Sequence, residues 1–113
     1  MVATWTDTTG DWSNAANWST LTVPNNGGGT TYSVKISAPS SVVTMDVLND
    51  TIDNLTLGSA TRLNVDYTIT LVSGTSVVES GSSLYNYGGL LGFPGSTTNN
   101  AGVHNYSAVI TVA

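Results

Sequence analysis

Apolar and polar residues alternate with a period of two through the middle of this chain. Leu63, Val65, Tyr67, Ile69 and Leu71 alternate with Arg62, Asn64, Asp66, Thr68 and Thr70. That pattern predicts a half-buried strand, or a strand pair broken at Asp66. Tyr32, Val34 and Ile36 alternate with Ser33, Lys35 and Ser37 in the same way. Further strands are predicted over Val42–Val47 and Ile52–Leu57, and an apolar closing strand over Ala108–Val112. No segment keeps a helical period over eleven residues. The one candidate helical turn is Ser13–Trp18, with Asp11 or Ser13 placed to cap it. The fold class read from the pattern is all-β.

A length of 113 residues suits a single domain, 1–113, in three zones. Residues 1–30 are tryptophan-rich and end in the loop Pro24-Asn25-Asn26-Gly27-Gly28-Gly29. Residues 31–78 hold most strands, and residues 79–113 are Gly/Asn-rich before the closing strand. Short, regularly spaced strands fit a solenoid or an antiparallel β-sandwich. Leu55-Thr56-Leu57-Gly58-Ser59 and Leu71-Val72-Ser73-Gly74-Thr75 recur at about the spacing of one solenoid rung. Charged residues make up 8% of the chain, and a sandwich usually needs more charge to protect its edges. Stacked Ser, Thr and Asn suit a solenoid, so a β-solenoid segment with a Trp-rich cap is expected, with the sandwich as the alternative.

Apolar residues reach 40%, enough for a packed core and too many for disorder. The formal charge is −5, with Lys35 and Arg62 the only basic side chains. Phosphate neutralisation needs clustered Lys and Arg, so neither nucleic acid nor an anionic membrane surface is an expected partner. There is no cysteine, hence no disulfide, thiolate metal site or thiol nucleophile. No apolar run is long enough to span a bilayer, so no membrane insertion is expected. No signal-peptide pattern opens the sequence. The chain therefore reads as a fragment of a longer secreted protein.

Trp5, Gly10-Asp11-Trp12-Ser13, Ala16-Asn17-Trp18-Ser19 and Val23-Pro24-Asn25 resemble the opening motif of bacterial secreted autotransporter-like and adhesin-like proteins. Val34-Lys35-Ile36, Val42–Asp46 and Ile52–Gly58 are similar to the first rungs behind that motif. The resemblance covers roughly residues 4–66. It implies the entry or cap of a right-handed parallel β-helix, secretion or bacterial cell-surface placement, and a non-enzymatic scaffold role. It does not extend to Tyr85–Gly95 or Asn99–Ser107, and it brings no catalytic residues.

Candidate chemistry is sparse. His104 is the only histidine and Glu79 the only glutamate. A Ser-His-Asp triad would need His104, and no Gly-x-Ser-x-Gly elbow is present; no catalysis is expected. Asp46, Asp50 and Asp53 lie close in sequence and could hold calcium, a hard cation that takes oxygen ligands. The same spacing admits a paired-carboxylate reading, but a chain this short leaves no room for a multi-rung cleft. Asp and Asn at strand ends more commonly form Asx-turns. Lys35 raises a Lys–Asn isopeptide bond, which would need a buried acid beside it. Its polar strand phase instead predicts a solvated side chain.

The tryptophans carry the functional question. All three fall in the first eighteen residues, where most domains fray. They could close the open end of a solenoid, whose terminal rung exposes core and strand edges. Alternatively, Trp5, Trp12 and Trp18, with Asn17 beside them, could form a stacking platform for sugars. The expected function is a non-catalytic module that caps and starts a β-solenoid adhesin or passenger scaffold. A small carbohydrate-binding domain is the alternative. Partners would be the remainder of the parent chain, or a second copy joined through open β edges.

Overall fold

The computed structural model describes residues 1–72 and 76–87 with their side chains, and beyond them the backbone of residues 89–93, 98–99, 102–105 and 110–112. The strands are β1 Val2–Thr4, β2 Thr9–Asp11, β3 Ser33–Ile36, β4 Val42–Met45, β5 Asp50–Ile52, β6 Asn54–Leu57 and β7 Arg62–Val65. They continue as β8 Thr68–Leu71, β9 Val77–Val78, β10 Ser83–Asn86, β11 Gly89–Phe93, β12 Thr98–Asn99, β13 Gly102–Asn105 and β14 Ile110–Val112. One 3-10 turn, Ala15–Asn17, separates β2 from β3, and the described residues contain no α-helix.

The strands form three sheets. The first runs β1-β3-β6-β9-β12, the second β2-β4-β7-β10-β13 and the third β5-β8-β11-β14. Every pairing between these strands is parallel. This excludes the antiparallel sandwich. From β3 onward the chain visits the first, second and third sheets in fixed rotation.

The register gives the true period. Ser33 faces Asn54 and Arg62 faces Ser83, each an advance of 21 residues; Val42 faces Arg62, an advance of 20. Leu55 and Leu71 belong to different sheets, so the recurrence seen between them in sequence is not a structural repeat. Leu63 to Leu71 is a strand pair broken at Asp66 and Tyr67, and Ile52–Leu57 is likewise two strands, broken at Asp53. From Leu63 to Leu71 the alternation survives because the two-residue break restores the inward phase. Tyr67 is the exception, exposed at the turn itself. At Asp53, by contrast, the phase slips, and Ile52 and Leu55 both face the core. Of the predicted closing strand, β14 accounts for residues 110–112, while 108 and 109 lie outside the described residues, as do Ser73, Gly74 and Thr75.

Inward positions are filled by Val34 and Ile36, Val43 and Met45, Leu55 and Leu57, Leu63 and Val65, Ile69 and Leu71, and Leu84. These join the three tryptophans in one contiguous buried cluster. Apolar burial of this kind contributes about 25 cal/mol per Å² removed from water.

The passage from the first to the second sheet repeats its chemistry. Ser40, Ala60 and Gly81 adopt left-handed backbone at φ 67°, 61° and 87°. The next residue each time is a buried hydroxyl that donates to the carbonyl three residues back: Ser41 to Ala38, Thr61 to Gly58 and Ser82 to Glu79, all at 2.6 Å. The corners stack through backbone bonds, Ser40 N–H to Ala60 O at 2.8 Å and Ala60 N–H to Gly81 O at 3.2 Å. A buried hydroxyl needs a partner, and here the turn provides it. The corner is thus a three-fold ladder of equivalent turns.

Candidate functional site

The first circuit of the chain is longer than the later ones. Val2 faces Ser33 and Thr9 faces Val42, advances of 31 and 33 residues. The excess falls between β2 and β3, where later circuits place a strand of the third sheet. This insert holds Trp12, the 3-10 turn, Trp18 and the glycine loop.

The turn forms because Asn14 sits in extended backbone and its side-chain oxygen accepts from Ala16 N–H at 3.1 Å. Asn14 is therefore the N-cap, rather than Asp11 or Ser13. Asn is among the strongest capping residues, while Ser13 is drawn away to Asp46. Its N–H donates to Asp46 Oδ1 at 2.9 Å and its hydroxyl to Asp46 Oδ2 at 2.6 Å.

The insert closes the outer edge of all three sheets. Beside β1, Ser19 N–H donates to Thr4 O and Thr6 N–H to Asn17 O, at 2.9 and 2.8 Å, and Trp5 bridges Trp18 in antiparallel sense. Over β2 lies the turn: the Asn17 side-chain amide donates to Asp11 O at 3.3 Å. It packs so close to Gly10 that a Cβ there would lie 2.8 Å from Asn17 Nδ2. Along β5, Asn26 N–H donates to Thr51 O at 2.6 Å, and the Asn25 side chain accepts from Thr51 N–H at 3.1 Å.

Under these bonds the three indoles are packed together and buried, Trp5 at 2% exposure and Trp12 and Trp18 at 0%. Trp18 stands edge-to-face to both neighbours, with ring centroids 5.1 Å from Trp5 and 4.8 Å from Trp12. Such pairs contribute about 0.5–1.5 kcal/mol each beyond area burial. Trp18 Nε1 donates to Trp12 O at 2.9 Å. No indole face is open to a ligand in this geometry, and Asn17 is buried with them. The sugar platform on Trp5, Trp12, Trp18 and Asn17 is thus closed off by the packing that the tryptophans make with each other.

The three aspartates named as calcium candidates all fasten the insert. Asp46 holds Ser13. Asp50 Oδ2 accepts from Trp12 Nε1 at 2.8 Å, and Asp53 Oδ1 accepts from the Asn26 side-chain amide at 2.9 Å. Among the described residues, no three His, Cys, Asp or Glu side chains cluster to hold a metal ion.

Asp50 is the unusual member. It occupies an inward position of the third sheet, facing Ile69 in the next strand, and is fully buried. Burial pushes its carboxyl up to about 7 from 3.8, against the opposing hydrogen bond from Trp12. Its Oδ1 has no hydrogen-bond partner, and neither does Trp5 Nε1.

Lys35 and Glu79 are both exposed, so no buried acid attends the lysine and isopeptide chemistry has no support there. The backbone of His104 lies in β13, and its side chain falls outside the described residues. Away from the insert, Tyr67 and Tyr87 are exposed. Tyr87 stacks with Tyr85, and the Arg62 guanidinium lies 3.8 Å above the Tyr85 ring. Among the described residues no helix is long and apolar enough to cross a membrane.

The fasteners Ser13, Asn25 and Asn26 were missed from sequence as members of the site. A signal did exist: Asp46 and Asp53 flank β5, the first strand of the third sheet, Asp50 opens it, and Pro-Asn-Asn is a loop rich in side-chain amides. No family model, curated protein or solved structure matches this chain.

Proposed function

We propose that this chain is the entry and N-terminal cap of a right-handed parallel β-solenoid, serving as a non-catalytic module of a secreted or bacterial cell-surface protein. The supporting observation is that one insert closes the outer edge of all three sheets while its tryptophans fill the space between them. The rotation of successive strands through three parallel sheets favours a solenoid. Parallel crossovers are almost always right-handed, which favours that hand. An unprotected strand edge templates association with other chains, and a terminal repeat needs a distinct cap to avoid it. The resemblance of residues 4–66 to secreted adhesin-like proteins supports the placement outside the cell.

The test releases the fasteners without touching the strand core. In the Asp46→Ala/Asp53→Ala variant, acrylamide should quench tryptophan fluorescence that is shielded in the parent chain. Light scattering should then show concentration-dependent association. A variant that keeps its β-sheet circular dichroism, exposes its tryptophans and stays monomeric sinks the capping role. Parent-chain tryptophans that are readily quenched, and that glycans protect, would return the chain to the sugar-binding class.

A further inference from the structure

We infer that Asn26–Gly27 is a latent self-modification site: the closed cap holds it unreactive, and deamidation there would release the third sheet's edge for good. The chain contains a single Asn-Gly sequence. With no Cβ on the following residue, backbone nitrogen reaches an asparagine side-chain carbonyl most easily. In the reaction the Gly27 nitrogen attacks Asn26 Cγ and a new C–N bond forms. The Cγ–Nδ2 bond breaks, and ammonia departs carrying the proton that Gly27 gives up. Water then opens the cyclic imide at one of its two C–N bonds, leaving aspartate or isoaspartate. Water is the only co-reactant.

The structure ties down both partners of that attack. Asn26 Nδ2 donates to Asp53 Oδ1 at 2.9 Å, and its Oδ1 accepts from Tyr32 N–H at 2.8 Å. The Gly27 N–H donates to Thr30 O at 3.0 Å. The carbonyl carbon cannot swing toward the nitrogen without breaking these bonds. Gly27, Gly28 and Gly29 are exposed, so water is at hand once the turn opens. Reaction rate thus follows the population of the opened turn.

The product cannot reseal. Where an amide donated to Asp53, a carboxylate now faces it. Neither group can donate, and two negative charges meet at hydrogen-bonding distance. Isoaspartate also lengthens the backbone beside the bond from Asn26 N–H to Thr51 O. This second half of the inference, release of the edge, rests on the capping role proposed above. The first half, protection of the amide, does not.

Peptide mapping by mass spectrometry on the full-length chain, aged at mildly alkaline pH, separates the two halves. Conversion at Asn26 should be at least about tenfold slower in the native chain than in urea. The Asp53→Ala variant should convert several-fold faster under native conditions, and Gly27→Ala should convert slowly in every state. Equal rates in native and unfolded chains, or no acceleration in Asp53→Ala, overturn the protected site. For the second half, the aged chain and the Asn26→Asp variant should both associate in light scattering. If both stay monomeric with shielded tryptophans, release of the edge is wrong while the protected amide stands.

Discussion

The two structured regions of this molecule hold the chain in place by different means. At the repeating corner, residues 38–41, 58–61 and 79–82 use one left-handed residue and one hydroxyl bonding three residues back. At the tryptophan-rich insert the work is done by side-chain volume: three indoles packed edge-to-face, one of them bonded to Asp50, with Asp46 and Asp53 fastening Ser13 and Asn26. The corner relies on backbone geometry, so its residues can vary among Ser, Ala and Gly at the turning position. The insert relies on shape and on specific acceptors, so its residues are not interchangeable. The corner tolerates local strain; the insert does not tolerate lost volume.

Removing volume from the tryptophan-rich insert should therefore cost most. Trp12→Ala should destabilise by about 3–5 kcal/mol, as large aromatic truncations do, and should also strand the Asp50 carboxyl. Urea denaturation gives the number, and a loss under about 1 kcal/mol would mean that the insert is not packed as described.

The next largest effect is pH. The folded pKa of Asp50, about 7, lies above its unfolded value. The favourable contribution is therefore full below about pH 4 and is lost progressively as pH rises to about 7. The whole swing is up to about 4 kcal/mol, at 1.36 kcal/mol per pH unit. Asp50→Asn keeps an acceptor for Trp12 and cannot ionise, so its stability should stay flat across that window and exceed the parent's above it. A parent chain with no such slope in its urea midpoints would refute the assignment.

The corner should answer more weakly. Thr61→Ala removes the buried hydroxyl but leaves the turn, an expected loss of about 0.5–1.5 kcal/mol in the same denaturation assay. The smallest effect has the opposite sign. Ala60→Gly should stabilise by a few tenths to about 1 kcal/mol by relieving the left-handed backbone, while Gly81→Ala should destabilise by a similar amount. Thermal melts of the pair would show opposite shifts; shifts in one direction would mean that the corners are not equivalent.

The all-β class and the inward phase of the strands were legible in sequence because a period of two directly records which side chains face the core. Leu63, Val65, Ile69 and Leu71 announce it. The break at Asp66 was readable only as one of two options, since a two-residue bend leaves the alternation intact; at Asp53 the phase slips between Ile52 and Leu55. The register was illegible. The corner role passes between Ser and Thr at positions 41, 61 and 82, and the advance drifts from one sheet to the next: Ser33 to Asn54, Val42 to Arg62, Asp50 to Ile69. The tryptophans advertised a special end, whereas Asp46, Asp50 and Asp53 read as a candidate calcium site or as Asx-turns, not as fasteners of a distant insert. Their partners Ser13, Trp12 and Asn26 are remote in sequence, and hydrogen bonds across that distance leave no spacing to read.

The nearly constant advance of the later circuits has a kinetic consequence. Each strand from β6 onward finds its parallel partner about twenty residues earlier, so each circuit can form on its predecessor at a nearly constant loop-closure cost. The first circuit must close a longer loop and gather the tryptophans before any edge exists to copy. The slowest step expected is therefore closure of that first, longer loop, with later strands adding at the lower cost.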